Sequence, residues 1–243
     1  MSKDLALLFS NKKKYTKYVN GNITAIFSGE YFEQGNFTNS QWKKLLVKET
    51  EECSKGIYHQ HRVYYRDEFA GNKKTLTIIM FNPSTATHIT NDPTINNCKE
   101  IAKKGKYDSI EIINLLTIRD PDIKRAINAE NNNINIDLED LKEYLQNLKE
   151  YLQNKNILIA WGGLSKLTNN EKTKKKKLHK TMIKNLSSVN CNIFTFAPDL
   201  LVNGYPRHPS PSSYNRIKNK DEINLKKLKI ENTNLKYLTE LDV

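Results

Sequence analysis

Residues 76–84 read Leu-Thr-Ile-Ile-Met-Phe-Asn-Pro-Ser, a near-continuous apolar run that ends in an asparagine and a proline. An apolar run of strand length without regular alternation is typical of a strand buried on both faces, as in a parallel sheet. Three further runs of this kind lie at residues 110–115, 157–161 and 192–197. Polar or turn-forming groups end these segments, which is how an α/β enzyme presents side chains at the carboxyl ends of its strands.

Helical signals lie between these strands. Asp92-Pro93 and Asp120-Pro121 each place an N-cap residue before a proline at the first helical position. Residues 141–147 are repeated as 148–154, and their leucines predict a core-facing helix, with a short coiled coil as the alternative. The predicted helices cover residues 92–104, 120–127, 141–154, 172–186 and 223–238. Strands that alternate with helices predict an α/β fold.

The chain divides into two parts by composition. Residues 1–57 are polar, basic and weakly periodic, and we expect them to form an N-terminal extension that packs on, or is hinged to, the rest. Residues 58–243 form the predicted α/β domain, in which residues 61–65 are a first strand or edge hairpin.

The charge balance is the unusual feature of the composition. The 39 basic and 27 acidic residues give a net charge of +12. Such an excess most often neutralises phosphate and favours nucleic acid as partner, although an AT-rich genome also enriches lysine. The cysteines Cys53, Cys98 and Cys191 form no Cys-x-x-Cys pair, which excludes a zinc ribbon and a four-cysteine iron–sulfur cluster. With no signal peptide or membrane-spanning run, we expect a soluble cytoplasmic protein without a membrane partner.

Asn82 and Asp92 are candidate water-binding residues in the loop after the first core strand. Asn82 either forms an Asn-Pro turn or orients a water through its amide. An amide does not take up a proton at neutral pH. If the reaction is cleavage of an N-glycosidic bond through an oxocarbenium-like sugar, however, the attacking water needs little activation by a base. Asp92 is the nearest carboxylate in sequence; it is either a helix N-cap or the water activator, and both roles are compatible if the cap faces the cleft.

Asn114 interrupts the apolar run Ile-Ile-Asn-Leu-Leu at residues 112–116. Burying an amide without partners costs about 1–3 kcal/mol, so this residue needs internal hydrogen bonds or a ligand. The Watson–Crick edge of a flipped pyrimidine offers a donor and an acceptor that one amide can bind together.

His208 lies in a loop with prolines at positions 206, 209 and 211. Prolines stiffen the backbone, so the loop is either a rigid surface turn or a means of holding the histidine accurately. Neighbouring side chains are candidates for contacts to DNA: Arg207, Ser210, Ser212, Ser213, Tyr214 and Arg216. We interpret the lysine run at 172–180 as a solvated helix face, with contact to phosphate as the alternative.

In their order along the chain, four motifs resemble those of the uracil-DNA glycosylase superfamily. They are the runs from Ile78 to Ser84, from Ile112 to Arg119, from Ala160 to Gly162 and from His208 to Ser213. The resemblance implies a three-layer α/β/α sandwich with a short, mostly parallel central sheet. It also implies hydrolysis of an N-glycosidic bond without metal or cofactor, in which Asn82 positions water, Asn114 and Phe81 bind the base, and His208 donates a hydrogen bond to the leaving base.

The last motif departs from the family pattern at one position. The family has a leucine wedge that fills the space left by the flipped base, and Ser212 stands in its place here. Tyr214 is the nearest bulky side chain. A closer resemblance, over residues 58–213, is to an uncharacterised bacterial family with the pattern NPSTA, DPT, NL, AWG and PRHP.

These observations predict a monofunctional DNA glycosylase that acts on a modified or damaged pyrimidine, such as a hypermodified phage base in antiviral defence. DNA is the expected partner, and no obligate protein partner is implied. Two alternatives stay open: an N-glycosidic hydrolase or transferase that acts on free nucleosides or nucleotides, and a DNA-binding module without catalytic activity.

Overall fold

The computed structural model describes the greater part of residues 61–237 together with an N-terminal hairpin. The described residues are 15–28, 61–71, 73–84, 86, 92–117, 120, 122–131, 148–165, 167–196, 200–201, 204–215, 217, 223–231 and 234–237. Within them, nine strands form a single sheet in the order β1-β2-β3-β5-β4-β6-β7-β8-β9. The strands are β1 (Tyr15–Asn20), β2 (Ile23–Ser28), β3 (His61–Glu68), β4 (Thr75–Met80), β5 (Ser109–Asn114), β6 (Asn156–Ile159), β7 (Asn192–Phe196), β8 (Leu225–Glu231) and β9 (Asn234–Tyr237).

The four predicted core strands are present as β4, β5, β6 and β7, and they run parallel to one another. Their burial is nearly complete; β5, for example, is buried at every residue from Ser109 to Asn114. The prediction of an α/β fold is therefore confirmed.

The prediction of a mostly parallel sheet is wrong for the sheet as a whole. Among the strand pairings of the described residues, three are parallel and five are antiparallel. The antiparallel pairings arise because hairpins flank the parallel core on both sides. Strands at the edge of a sheet are partly exposed and carry many polar side chains, so they lack the continuous apolar signal of the core.

The predicted helix at 223–238 is the clearest error, because this segment forms the hairpin β8–β9. β8 pairs antiparallel with β7, and Leu228 and Leu235 pack on the core. The lysines of β8, Lys226, Lys227 and Lys229, are half-buried or exposed, whereas Leu228 between them is buried. At the opposite edge, β1 and β2 extend the sheet through β3, so residues 15–28 of the predicted extension belong to the same sheet.

Helices lie on both faces of the sheet. α1 (Pro93–Lys104) and the single turn α4 (Pro211–Tyr214) cover one face. α2 (Ile123–Asn131), a helical segment at 148–151 and α3 (Asn169–Ser187) cover the other. Leu148 and Leu152 are buried, as predicted for a core-facing helix, while the first copy of the repeat lies outside the described residues.

Asp92 caps α1, as its sequence predicts, by accepting a hydrogen bond from the backbone N–H of Ile95 at 2.9 Å. α3 begins with a capping box between Thr168 and Glu171. In the part of the chain that the structure describes, no helix has both the length and the apolar character needed to cross a bilayer.

Candidate functional site

The candidate site lies where the central parallel strands end. The helix after β4 packs on one face of the sheet, and the helix after the neighbouring β6 packs on the other. Chains that diverge in this way leave a crevice at the carboxyl ends of the two strands, which is where open α/β sheets bind ligands. Asn82 follows β4, Asn114 ends β5, and Gly162 follows β6. The sheet therefore brings three of the sequence motifs to one edge.

Asn82 is half-buried, and its amide nitrogen is fixed by two backbone carbonyls. Nδ2 donates to the carbonyl of Asp120 at 2.7 Å and to that of Pro83 at 3.1 Å. Asp120 is itself held in place because its carboxylate accepts hydrogen bonds from Nε and Nη2 of Arg125 at 3.1 and 3.0 Å. These two hydrogen bonds fix the orientation of the Asn82 amide.

Asp92 is buried, and the cap on α1 engages its Oδ1. The positive charge of Arg62, at the start of β3, acts on the same carboxylate. Arg62 is 1% exposed and donates from Nη1 to the carbonyl of Ala86 at 2.8 Å. The cap is therefore confirmed, and the activation of water by Asp92 stays a prediction.

Asn114 and Phe81 both lie in the buried part of this edge. Asn114 is 1% exposed and pairs in register with Met80 of β4. Phe81 is equally buried on the other face of the sheet. Its ring belongs there to the core cluster that also contains side chains of α2 and α3. The structure thus places Asn114 and Phe81 on opposite sides of the sheet at its carboxyl edge.

His208 reaches this edge from the loop between β7 and α4. Its Nδ1 accepts a hydrogen bond from the backbone N–H of Ser210 at 3.1 Å, and Asn97 of α1 donates to the carbonyl of Pro209 at 2.8 Å. Burial, assisted by the charge of Lys175, lowers the pKa of His208 to about 4. The imidazole is neutral at physiological pH, and because Nδ1 is an acceptor, its proton is on Nε2. His208 therefore presents an N–H donor without a positive charge.

Gly162 allows His208 to approach the sheet. Gly162 adopts a left-handed backbone with φ +73°, and a Cβ added there would lie 3.1 Å from the Cβ of His208. A side chain at position 162 would be strained and would also push against the histidine. The glycine of the predicted Trp-Gly motif thus has a defined structural role.

Lys175 is a site residue that our sequence interpretation missed. We had assigned the lysine run to a solvated helix face, yet Lys175 is 2% exposed. Its Nζ donates to the carbonyl of Trp161 at 2.9 Å and lies 4.3 Å from the centroid of the Phe81 ring. Helical spacing carried the signal, because position 175 falls on the same face of α3 as the buried residues Glu171 and Met182.

Trp161 and His179 form a second buried arrangement beside Lys175. Nε1 of Trp161 donates to Nδ1 of His179 at 3.1 Å, and the His179 ring stacks on Tyr205 with centroids 4.4 Å apart. Burial, assisted by the charges of Lys175 and Lys180, lowers the pKa of His179 to about 4. Because Tyr205 begins the loop that carries His208, this arrangement anchors that loop to α3.

The predicted DNA contacts are spread over environments of different exposure. Ser212 is exposed, whereas Arg207, Ser210 and Ser213 are half-buried. Tyr214 is 5% exposed and packs in the core beside α1, so in this conformation its ring fills no open space in the cleft. Arg216 lies outside the described residues.

We found no group of side chains suited to a metal ion in the described residues. No three His, Cys, Asp or Glu side chains of these residues lie together in a way that could ligate one. Cys98 and Cys191 are free thiols, and Cys53 lies outside the described residues. Burial raises the pKa of Cys98, which makes a thiolate ligand or nucleophile unfavourable there.

Comparisons with known proteins place the chain in one family. No curated protein and no solved structure matches it. A family model described as "Protein of unknown function (DUF1643)" matches residues 62–210, which is more than half of the chain and includes every strand from β3 to β7 as well as His208. The chain therefore belongs to this family of proteins of unknown function.

Proposed function

We propose that this protein is a monofunctional DNA glycosylase. It hydrolyses the N-glycosidic bond of a modified or damaged pyrimidine and leaves an abasic site. The observation that carries the proposal is the state of His208, a neutral imidazole whose Nε2–H is available at the edge where Asn82 and Asn114 also lie.

In this proposal His208 stabilises the leaving base. Negative charge builds on the pyrimidine as the glycosidic bond breaks. A hydrogen bond from a fixed N–H donor to O2 of the base is therefore stronger in the transition state than in the ground state. A neutral donor suits this task because it stabilises the charge on the base at physiological pH, where the imidazole does not take up a second proton. Removal of one such donor typically lowers kcat by about 100-fold to 1000-fold.

Asn82 would hold the attacking water through its amide oxygen. The sugar develops oxocarbenium character before water attacks, so positioning contributes more than deprotonation. The hydrogen bonds from Asn82 Nδ2 to two carbonyls support this role, because they fix the direction in which the oxygen points. Asp92 stays the alternative activator, acting from the N-terminus of α1.

Asn114 would read the base; Phe81 lies on the opposite side of the sheet, under Nζ of Lys175, and the proposal gives it no contact with the same base. An amide buried at the end of a core strand is well placed to select one pattern of donors and acceptors. The ordered motifs and the helices on both faces of the sheet further support an arrangement like that of the uracil-DNA glycosylases. The antiparallel hairpins at the edges of the sheet are not part of what that resemblance implies.

DNA is the proposed partner on the basis of charge and of exposed lysines. The chain carries a net charge of +12, and Lys176, Lys177 and Lys180 are exposed along α3. Arg207 and the serines of the 208–213 loop would contact phosphates near the flipped nucleotide. A hypermodified phage base is the substrate class we favour, in a cytoplasmic enzyme of antiviral defence.

The test is release of a base from DNA. The full chain is incubated with oligonucleotides that contain unmodified, uracil or phage-modified pyrimidines, and free base and abasic sites are measured by mass spectrometry. We expect release from one substrate and a loss of about 100-fold or more in His208→Ala. His208→Gln, whose amide nitrogen approximates Nε2, should retain more activity than His208→Asn, whose amide approximates Nδ1.

Two outcomes would contradict the proposal. No release from any substrate by a folded protein that binds DNA would favour a binding module, whose affinity falls with salt. Full activity in folded His208→Ala would show that this imidazole has no part in the chemistry.

A further inference from the structure

Lys175 is the least expected group at the carboxyl edge of the sheet. It lies on α3 within the lysine-rich run that begins at Lys172. Its side chain, however, points inward to the loop after β6. A Cβ built at Gly162 would lie 3.9 Å from Nζ of Lys175 and 3.1 Å from Cβ of His208. The ammonium group of Lys175 and the side chain of His208 therefore both lie next to Gly162.

The contacts of Lys175 within the described part of the chain are with neutral groups. Nζ donates to the carbonyl of Trp161 at 2.9 Å and lies over the Phe81 ring. No ion pair of Lys175 with a carboxylate is present among the described residues. Burial of a lysine that lacks an acidic partner is costly, and burial lowers the pKa of Lys175 to about 7. Groups retained at such a cost occur most often at functional sites.

We propose that Lys175 is a positioning residue of the site, whose charge keeps the His208 imidazole neutral, so that Nδ1 stays the acceptor for the Ser210 N–H and holds the ring in its orientation. This inference rests on the proposed function for its purpose, although the coupling between the two side chains can be measured without it. Lys175 acts through His208 and is not assigned a contact with substrate.

Among the charged groups of the described residues, Lys175 is the one that acts on the pKa of His208. Burial of the imidazole is the larger influence on its pKa, and Lys175 adds to it in the same direction. The other elements that pack on the loop contribute neutral groups: Gly162 from the segment after β6, Asn97 from α1, and the backbone N–H of Ser210. Below pH 7 Lys175 is protonated, and this is the range in which an ordinary histidine, with a pKa near 6.5, would become charged.

The consequence for the site is a wide working range of pH. Above pH 7 the imidazole is neutral whatever the state of Lys175. As the pH falls, Lys175 gains its proton first and then opposes protonation of His208. The hydrogen bond from the Ser210 N–H to Nδ1, and with it the orientation of the ring, would therefore persist to a lower pH than in a histidine without this neighbour.

The experiment is an NMR titration of the histidine side chains in the full chain without substrate. His208 is assigned by comparison with His208→Gln, and the pKa is followed in wild type, Lys175→Met and Lys175→Arg. We expect Lys175→Met to raise the pKa of His208 by about one unit, and Lys175→Arg to keep it low. Lys176→Met removes the adjacent exposed lysine and should leave the pKa unchanged. An unchanged pKa in Lys175→Met, or an equal rise in Lys176→Met, would overturn the inference.

A second readout separates this inference from the proposed function. If base release is found, its acid limb should move to higher pH in Lys175→Met and return in Lys175→Arg, whereas a merely structural lysine would change the rate equally at all pH values. If the NMR shift is present but no substrate releases a base, the proposed function fails and the coupling stands. If base is released and the NMR shift is absent, the proposed function stands and the inference about Lys175 fails. Should Lys175→Met not fold, the same titration of Lys175→Gln decides the question.

Discussion

Replacement of Gly162 by alanine tests the geometry of the site directly, because Gly204 supplies a matched control. The two glycines have nearly the same left-handed backbone, with φ +73° and +72°. Left-handed backbone costs an L-residue about 1–2 kcal/mol, and alanine recovers about 0.4–1 kcal/mol through the unfolded chain. Gly204→Ala, where a Cβ meets no heavy atom within 4 Å, should therefore lower the free energy of unfolding by about 1 kcal/mol.

Gly162→Ala should be clearly more destabilising. Its Cβ would lie 3.1 Å from the Cβ of His208, whereas carbon atoms in contact are about 3.5–4.0 Å apart. Overpacking of this kind costs about 1–3 kcal/mol in addition to the backbone strain. The total loss should be about 2–4 kcal/mol in Gly162→Ala.

Urea unfolding at pH 7, followed by tryptophan fluorescence, measures both variants, and equal m-values would show that the unfolded states are comparable. Equal losses of stability in the two variants would refute the close approach of His208 to Gly162. If base release is detected, it should fall further in Gly162→Ala than in Gly204→Ala, because only the first change displaces the histidine.

Three further predictions concern charge in the buried part of the site. Lys175→Met should raise the free energy of unfolding at pH 7 by about 1–3 kcal/mol, the cost of the lowered pKa less that of the lost hydrogen bond. Lys175 takes up its proton below pH 10.5 in the unfolded chain but only below about pH 7 in the folded chain. The gain in stability of Lys175→Met over wild type should therefore shrink as the pH rises towards 10.5. A gain that does not change with pH would contradict this explanation. As the pH falls from 6.5 towards 4, the fold should lose stability because the unfolded chain binds protons at His179 and His208 before the folded chain does. Each histidine contributes about 2 kcal/mol, allowing for partial exposure. His208→Gln should therefore flatten the curve of thermal midpoint against pH. Borohydride treatment with abasic DNA should trap no covalent complex through Lys175, since its Nζ is held by the Trp161 carbonyl; a trapped peptide that contains Lys175 would show lyase chemistry and contradict a monofunctional enzyme.

The sequence was most informative where burial is complete. Strands such as β5, buried at every residue, leave an apolar run that admits few other interpretations, and the Asp-Pro signal identified the cap of α1. Because parallel strands end at one edge, the positions of Asn82 and Asn114 followed from the strands alone.

The features that were missed depend on contacts distant in sequence. The leucines of β8 and β9 fit a helix as well as a hairpin, and only pairing with β7 decides between them. Lys175 resembles its neighbours in composition, and its burial results from how α3 packs over Trp161. Neither the tautomer of His208 nor its approach to Gly162 can be read from the residues, because both depend on the path of the 204–210 loop.

The link from Arg125 to Asn82 has a consequence for the interpretation of mutational screens. The side chain of Arg125 is 41% exposed, so a substitution there would be classed with changes at the surface. Yet Arg125 holds the buried Asp120, and the carbonyl of Asp120 fixes the amide of Asn82. An inactive variant at this solvent-facing arginine would thus report on the alignment of an amide two contacts away.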